Sequence, residues 1–285
     1  MQLFSKKVSE FIAFNFFRLI SMMVVGILFL ILGFIFVRRI SVISWEFLFA
    51  MPKDGMTAGG IFPAIVGTLC LVFVSMIFAF PIGVLSAIYL NEYLKDSWFK
   101  RFVGSMTNNL AGIPSIVFGL FGMALFVHTM NFGDSIIAGS LTLGLMVLPI
   151  IIRTTEEALK SVDDSLRIGS YALGATKLQT IGRVVLPVAF PNIITGLILS
   201  ISRVSGETAP ILFTVAAYFL PKLPTSIFDQ VMALPYHLYV LTTSGTNIEK
   251  ARPMAYGTAL VLIAIVLIMN LIANTIRRHY RKKIS

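Results

Sequence analysis

Charge is what this chain has least of. Only 13% of its 285 residues are charged, and 57% are hydrophobic. A soluble domain of this size carries roughly 25% charged residues, so the shortage excludes an ordinary water-soluble globule and points to lipid as the solvent. Acidic residues are the scarcer sign, 13 against 23 Lys and Arg, which leaves a formal net charge of +10. The basic residues gather at the ends of apolar runs and form no stripe on a polar domain. That pattern speaks against nucleic acid as a partner and matches anionic lipid headgroups. The single cysteine, Cys70, sits inside an apolar run, so it forms no intrachain disulfide and reads as packing. The three histidines, His128, His237 and His279, have no ligand spacing, which speaks against a metal site. No repeat of fixed period and no Pro/Ser-rich linker divides the chain, so one membrane domain is the simplest organisation.

What is present is a series of long apolar runs. About 20 apolar residues cross a bilayer core, and about six segments qualify, near residues 19–37, 61–89, 104–127, 134–152, 189–216 and 255–276. The expected fold is therefore an all-α membrane protein. Pro81, Pro114, Pro149 and Pro210 fall in or near these runs and are expected to bend them. The first run exceeds the apolar stretch of a cleavable signal and is followed by Arg38-Arg39 instead of a small-residue cleavage site, so it reads as a retained span. Residues 1–18 mix Lys6, Lys7 and Glu10 with five phenylalanines and suit a short helix lying in the interface, with a frayed cytoplasmic tail the alternative. With the N-terminus cytoplasmic, fifteen Lys and Arg fall on the cytoplasmic side and six outside, leaving Arg153 and Arg203 in or beside spans. That asymmetry predicts that both termini are cytoplasmic. The long connection 217–254 contains FDQVMALPYHLYVL and is apolar enough to pack on the outer face.

One polar tract interrupts the apolar pattern. Residues 153–187 read RTTEEALKSVDDSLRIGSYALGATKLQTIGRVVLP and lie between the fourth and fifth spans. Ser165–Leu178 is helical in character, Gly174 marks a close approach or turn, and Pro187 and Pro191 mark re-entry into the membrane. Such a tract is built to meet a soluble partner. Glu156-Glu157 and Asp163-Asp164 read as its solvated faces, with contact to that partner the alternative. Gly169 to Thr176 has the glycine spacing of a phosphate loop but lacks the lysine after the second glycine, so nucleotide binding by this segment is not expected.

Gly174, followed after nine residues by Val184-Val185-Leu186-Pro187, resembles the coupling loop of permease subunits of bacterial ABC importers. The family's Glu-Ala-Ala tripeptide falls here on Ile168-Gly169-Ser170, so its acidic contact is missing. Arg203-Val204-Ser205-Gly206-Glu207-Thr208-Ala209-Pro210, Leu110 to Gly119 and Arg153-Thr154-Thr155-Glu156 resemble the phosphate-importer permeases of the PstA type, from about residue 60 onward. The resemblance implies short coupling helices at about 154–187 that dock on an ATPase through Tyr171, Ala172, Leu173, Gly174, Ala175, Leu186 and Pro187. It implies three partner proteins in all: a second permease (PstC type), that ATPase as a dimer (PstB type) and an external phosphate-binding protein (PstS type). ATP and magnesium then belong to the ATPase, with no cofactor in this chain and no bond-breaking chemistry of its own.

Arg203 is the sharpest candidate for meeting an anion. An arginine deep in a span costs at least about 2.5–3.5 kcal/mol on insertion scales, so it is expected to face the protein interior or a water-filled path. Gly196, Ser200, Arg203 and Glu207 share one stripe at helical spacing. In that reading Arg203 meets phosphate oxygens, and Glu207 balances it when the path is empty. Arg153, at the cytoplasmic end of the fourth span, is either a positive anchor or, as the resemblance suggests, a second anion contact. Asn108-Asn109 and Ser115 are candidates for lining the path, with helix packing beside Gly112 the alternative. Three other readings stay open on the sequence: an importer subunit for another oxyanion, a membrane scaffold or sensor recruiting a regulator through 153–187, and an ion-coupled transporter.

Overall fold

The computed structural model describes residues 2–39, 42–243 and 248–284. Two units divide the chain, Met1–Ser44 and Trp45–Ser285. The first is a single helix, α1 (Gln2–Arg39), in which Glu10–Val37 is long and apolar enough to span a membrane. The segment 1–18 and the span expected from residue 19 thus share one uninterrupted helix, and the boundary between units falls at Ser44. No proline breaks the run. Its polar side chains bond back to their own helix, with Asn15 Nδ2 donating to Phe11 O at 3.0 Å and Ser21 Oγ to Phe17 O at 2.8 Å, and this takes away their capping role.

The second unit opens with α2 (Trp45–Phe49) and a two-stranded antiparallel pair, β1 (Pro52–Lys53) and β2 (Ala58–Gly59). α3 (Phe62–Ile88) follows and continues through a π-helical turn, Tyr89–Tyr93. α4 (Trp98–Ala111) and α5 (Ser115–Gly122) are separate helices, the latter continuing as a π stretch, Met123–Thr129. α6 (Ile136–Lys160), α7 (Asp164–Ala172) and α8 (Lys177–Thr180) come next. A π turn, Ile181–Val185, then leads into α9 (Leu186–Gly206), which is followed by α10 (Ala209–Leu212), α11 (Leu234–Thr243) and α12 (Ile248–Ile284).

Five helical stretches among the described residues are long and apolar enough to cross a membrane: Glu10–Val37, Phe62–Tyr93, Ile136–Lys160, Lys177–Gly206 and Ala251–Arg281. A sixth arises only if Trp98–Ala111 and Ser115–Thr129 count together, and these meet at 100°. The third expected span, 104–127, is therefore broken at Gly112-Ile113-Pro114. Pro114 has no N–H for the helix ladder, and its ring disfavours helical backbone at Ile113. Pro81 and Pro149 lie inside continuous helices, whereas Pro210 begins α10.

The fifth expected span, 189–216, is also corrected. α9 ends at Gly206, and Glu207 has extended backbone (φ −78°, ψ 132°). Thr208 and Pro210 then start a new short helix. The core is built where α3, α6 and α9 pack together, around Leu71, Val72, Met76, Leu143, Val147, Ile151 and Val204. α12 packs on α9, and α11 on α12. Burying such side chains is worth roughly 1.5–3 kcal/mol each against water. Within a bilayer the gain comes from close packing instead. The connection after α10 does fold back onto the bundle. Val231, Met232, Ala233 and Leu234 are buried, and Leu234 N–H donates to Thr68 Oγ1 at 2.8 Å.

Candidate functional site

The 153–187 tract is less of a loop than its composition suggests. α6 runs on to Lys160, and the next long helical stretch starts at Lys177, which leaves 161–176 as the projecting part. The helix expected over Ser165–Leu178 stops at Ala172, because Gly174 takes the left-handed conformation (φ +80°). A side chain there is strained, which is why glycine ends this helix. Asp163 caps α7, its Oδ1 accepting from Ser165 N–H at 2.8 Å. The backbone and hydroxyl hydrogen bonds of Ser165 hold its carboxyl below the usual carboxylate range. Thr176 and Gln179 form a reciprocal capping box on α8. The two short helices are tied by a 2.9 Å contact between the Ser170 and Thr180 hydroxyls.

On this polar segment the exposed side chains include large apolar ones. Ile168, Tyr171, Leu173 and Leu178 are all exposed, Leu173 to 90%. Apolar groups clustered on a hydrophilic projection mark a protein contact. Tyr171, Ala172, Leu173 and Gly174 are exposed and Ala175 is half-buried. Leu186 and Pro187 instead sit at the start of α9, where both line an apolar cavity of about 530 Å³ together with Phe80, Phe190 and Tyr280.

The stripe read on the fifth span splits in two. Ser200 is fully buried and donates to Gly196 O at 2.9 Å. A Cβ on Gly196 would collide with Thr154 Oγ1, so this part of α9 is a close helix contact with α6. Arg203 is two turns beyond Gly196 on nearly the same face, in the last turn of α9, where its side chain is 38% exposed. Its exposed neighbours along the helix are Asn192, Leu199 and Gly206. Arg203 Nε stands 3.4 Å from Glu207 Oε1. Glu207, 18% exposed, also edges a cavity of about 10 Å³ lined by Thr68, Leu143, Ala233 and Pro235, about the size of one water. The helix end explains the geometry. A cation in a last turn is favoured by the helix dipole, and the extended backbone at Glu207 turns its carboxylate back toward that turn.

Arg153 has a different task. Its Nε donates to Asn108 Oδ1, Nη1 to Glu156 Oε2 and Nη2 to Gly104 O, each at 2.8 Å. The guanidinium thus clamps α4 onto α6. Glu156, read from sequence as solvated, is buried beneath it, whereas Glu157 is exposed. Asn108 belongs to this clamp, and Ser115 opens α5 beyond the bend.

Residues 79–285 match the family model described as the binding-protein-dependent transport system inner membrane component. This chain belongs to that family. Among its relatives is the phosphate transport system permease protein PstA of Mycobacterium leprae, 42% identical over 86% of this chain and 79% of that protein. Another is the probable ABC transporter permease protein YqgI of Bacillus subtilis, 31% identical over 99% of both. Two solved structures share the fold. One is a bacterial ABC transporter involved in import of the acidic polysaccharide alginate, with a TM-score of 0.66, 17% identity, and coverage of 92% of this chain and 96% of that one. The other is the MetNI methionine ABC transporter, with a TM-score of 0.60, 20% identity, and coverage of 76% and 94%.

As an inner membrane component of an ABC importer, the chain is a multi-pass transport subunit and not an enzyme. It works with an ATPase and a substrate-binding protein. The residues that tie the projecting helices to the bundle are ones that sequence reasoning missed. Arg167 pairs with Glu92, 75 positions away. Lys177 Nζ lies 4.9 Å from the centre of the Tyr93 ring. No spacing rule connects these positions. The one available signal was an acidic residue, Glu92, at the end of an otherwise apolar run.

Proposed function

We propose that this permease forms one half of a phosphate path. The second half is a PstC-type permease, the motor a PstB-type ATPase dimer that holds ATP and magnesium, and the donor an external PstS-type binding protein. Support comes from relatives at 34–42% identity that are named as phosphate transport system permeases and from one observation above all. Arg203 is presented on an exposed face of α9 with Glu207 3.4 Å away. Lipid is a poor neighbour for a guanidinium, so that face is where the second permease closes the path. An unsealed half-path and a charge awaiting its anion are the same feature. The projecting segment faces the cytoplasm with both termini, and Ile168, Tyr171, Leu173 and Leu178 seat it on the ATPase.

The roles follow from charge. Arg203 offers paired N–H groups to phosphate oxygens. Glu207 balances the guanidinium between passages, which keeps the anion from being held too tightly to leave. Glu207 also selects. Monohydrogen phosphate carries a proton that a carboxylate accepts as a hydrogen bond, whereas sulfate carries none and meets repulsion. Arg153 works as the clamp described above. The test is uptake into vesicles holding the full assembly, with labelled phosphate and competing sulfate. Phosphate uptake that requires ATP and resists sulfate is expected, and Glu207→Gln should raise sulfate uptake. Uptake of another solute, or discrimination unchanged in the variant, refutes the assignment.

A further inference from the structure

We propose that the Arg167–Glu92 pair is the rigid link through which movement of α7 reaches the span formed by α3. The proposal deepens the transport reading, on which it rests. Arg167 is 14% exposed and Glu92 6%. From one side chain Arg167 reaches four acceptors: Leu159 O at 2.9 Å and Val162 O at 2.8 Å at the end of α6, Asp164 Oδ1 at 3.0 Å on its own helix, and Glu92 Oε1 at 2.9 Å. Glu92 is held in turn by Asn91 Nδ2 at 2.9 Å. It sits in the π turn Tyr89–Tyr93 that ends α3, and such turns recur at functional positions.

The same turn is gripped from the other side of Gly174, where Lys177 caps the Tyr93 ring. Both short helices of the projecting segment therefore touch one π turn, and they touch each other through Ser170 and Thr180. α3 packs along α6 and α9. A push delivered at the exposed apolar residues of 168–178 is thus carried to the three central helices at once. A buried ion pair is a poor stability device, since apolar replacements of similar volume are often as stable. What it supplies is a fixed geometry between elements with no peptide bond between them. Arg167 and Glu92 are positioning residues that touch no substrate.

The experiment uses the complete assembly in proteoliposomes and counts solute delivered per ATP hydrolysed. Glu92→Gln keeps the shape and removes the charge. ATP hydrolysis should stay within about twofold while uptake falls about tenfold, so the ratio falls about five- to twentyfold. A ratio that does not change overturns the link. So does a parallel fall in hydrolysis and uptake, which would mean lost docking. A second, independent test combines Glu92→Cys and Arg167→Cys in a Cys70→Ala background, bridged by a bifunctional thiol reagent after assembly. A link that stays closed through the cycle tolerates bridging with full uptake, and arrest by the bridge refutes it. A wild-type assembly that moves another anion in place of phosphate sinks the substrate assignment alone, and the ratio is then read with that anion.

Discussion

Neutralising Arg203 separates a transport role from a structural one, because the two predict very different magnitudes. At 3.4 Å and an effective dielectric of about 20, the gross attraction between Arg203 and Glu207 is about 5 kcal/mol. Little of it is net stability. The arginine side chain is 38% exposed, and exposed pairs measured by double-mutant cycles return about 0.2–1 kcal/mol. Arg203→Gln should therefore fold and assemble, with a stability loss of about 1 kcal/mol or less. Transport is another matter. A hydrogen bond to a charged group contributes about 1.5–3 kcal/mol, and each 1.4 kcal/mol is about tenfold. Losing even one such contact to phosphate should slow uptake by about 10- to 100-fold. Initial rates of ATP-dependent phosphate uptake in proteoliposomes, normalised to assembled complex, give the first number, and thermal denaturation in detergent gives the second. An unimpaired rate, or a variant that fails to assemble, would refute the reasoning.

Three further outcomes follow from the geometry. Glu156→Gln keeps the size of the side chain but removes the charge beneath Arg153, and it should cost about 1–3 kcal/mol, less than the 3–5 typical of a fully buried pair because Arg153 is 34% exposed. Limited proteolysis between α4 and α6 should show the loosened clamp. Gly174→Val meets no neighbour within 4 Å but must adopt φ +80°, so it should strain the α7–α8 turn by about 1–2 kcal/mol and lower substrate-stimulated ATP hydrolysis while spans and expression persist. His237 is buried and desolvation pushes its pKa down from 6.5 to about 4, so the folded ring stays neutral where the unfolded one takes a proton. The His237 contribution to stability should be constant above about pH 6.5 and fall by about 3 kcal/mol as pH drops to 4. A His237→Leu variant melting with the same pH slope would contradict this.

The element that carried the functional reading was local. The dense apolar runs, the basic residues at their ends and the polar tract 153–187 all express the solvent each segment meets, and solvent preference is a property of the residues themselves. Arg203 stood out for the same reason, since its cost in lipid does not depend on what it touches. Helix ends were half legible. Pro114 announced a bend, but whether a proline bends a helix or ends it depends on the carbonyls around it, and at Gly112-Ile113-Pro114 the chain breaks by 100°. The same limit misplaced Glu207, which leaves the helix at Gly206 and still reaches Arg203.

The amino-acid sequence by itself determined that this protein lives in a membrane, carries a projecting polar segment and holds a charged pair, Arg203 and Glu207, within an apolar stretch. Hydrophobicity and charge are short-range properties that a linear pattern records. Only the tertiary structure decided which face of α9 is open, that Ser200 is sealed against α6, that Arg153 is a clamp over a buried Glu156, and that Arg167 reaches Glu92. Each of these depends on two segments far apart in the chain meeting at hydrogen-bond distance. Such a meeting is set by how whole helices pack, and no single segment encodes it.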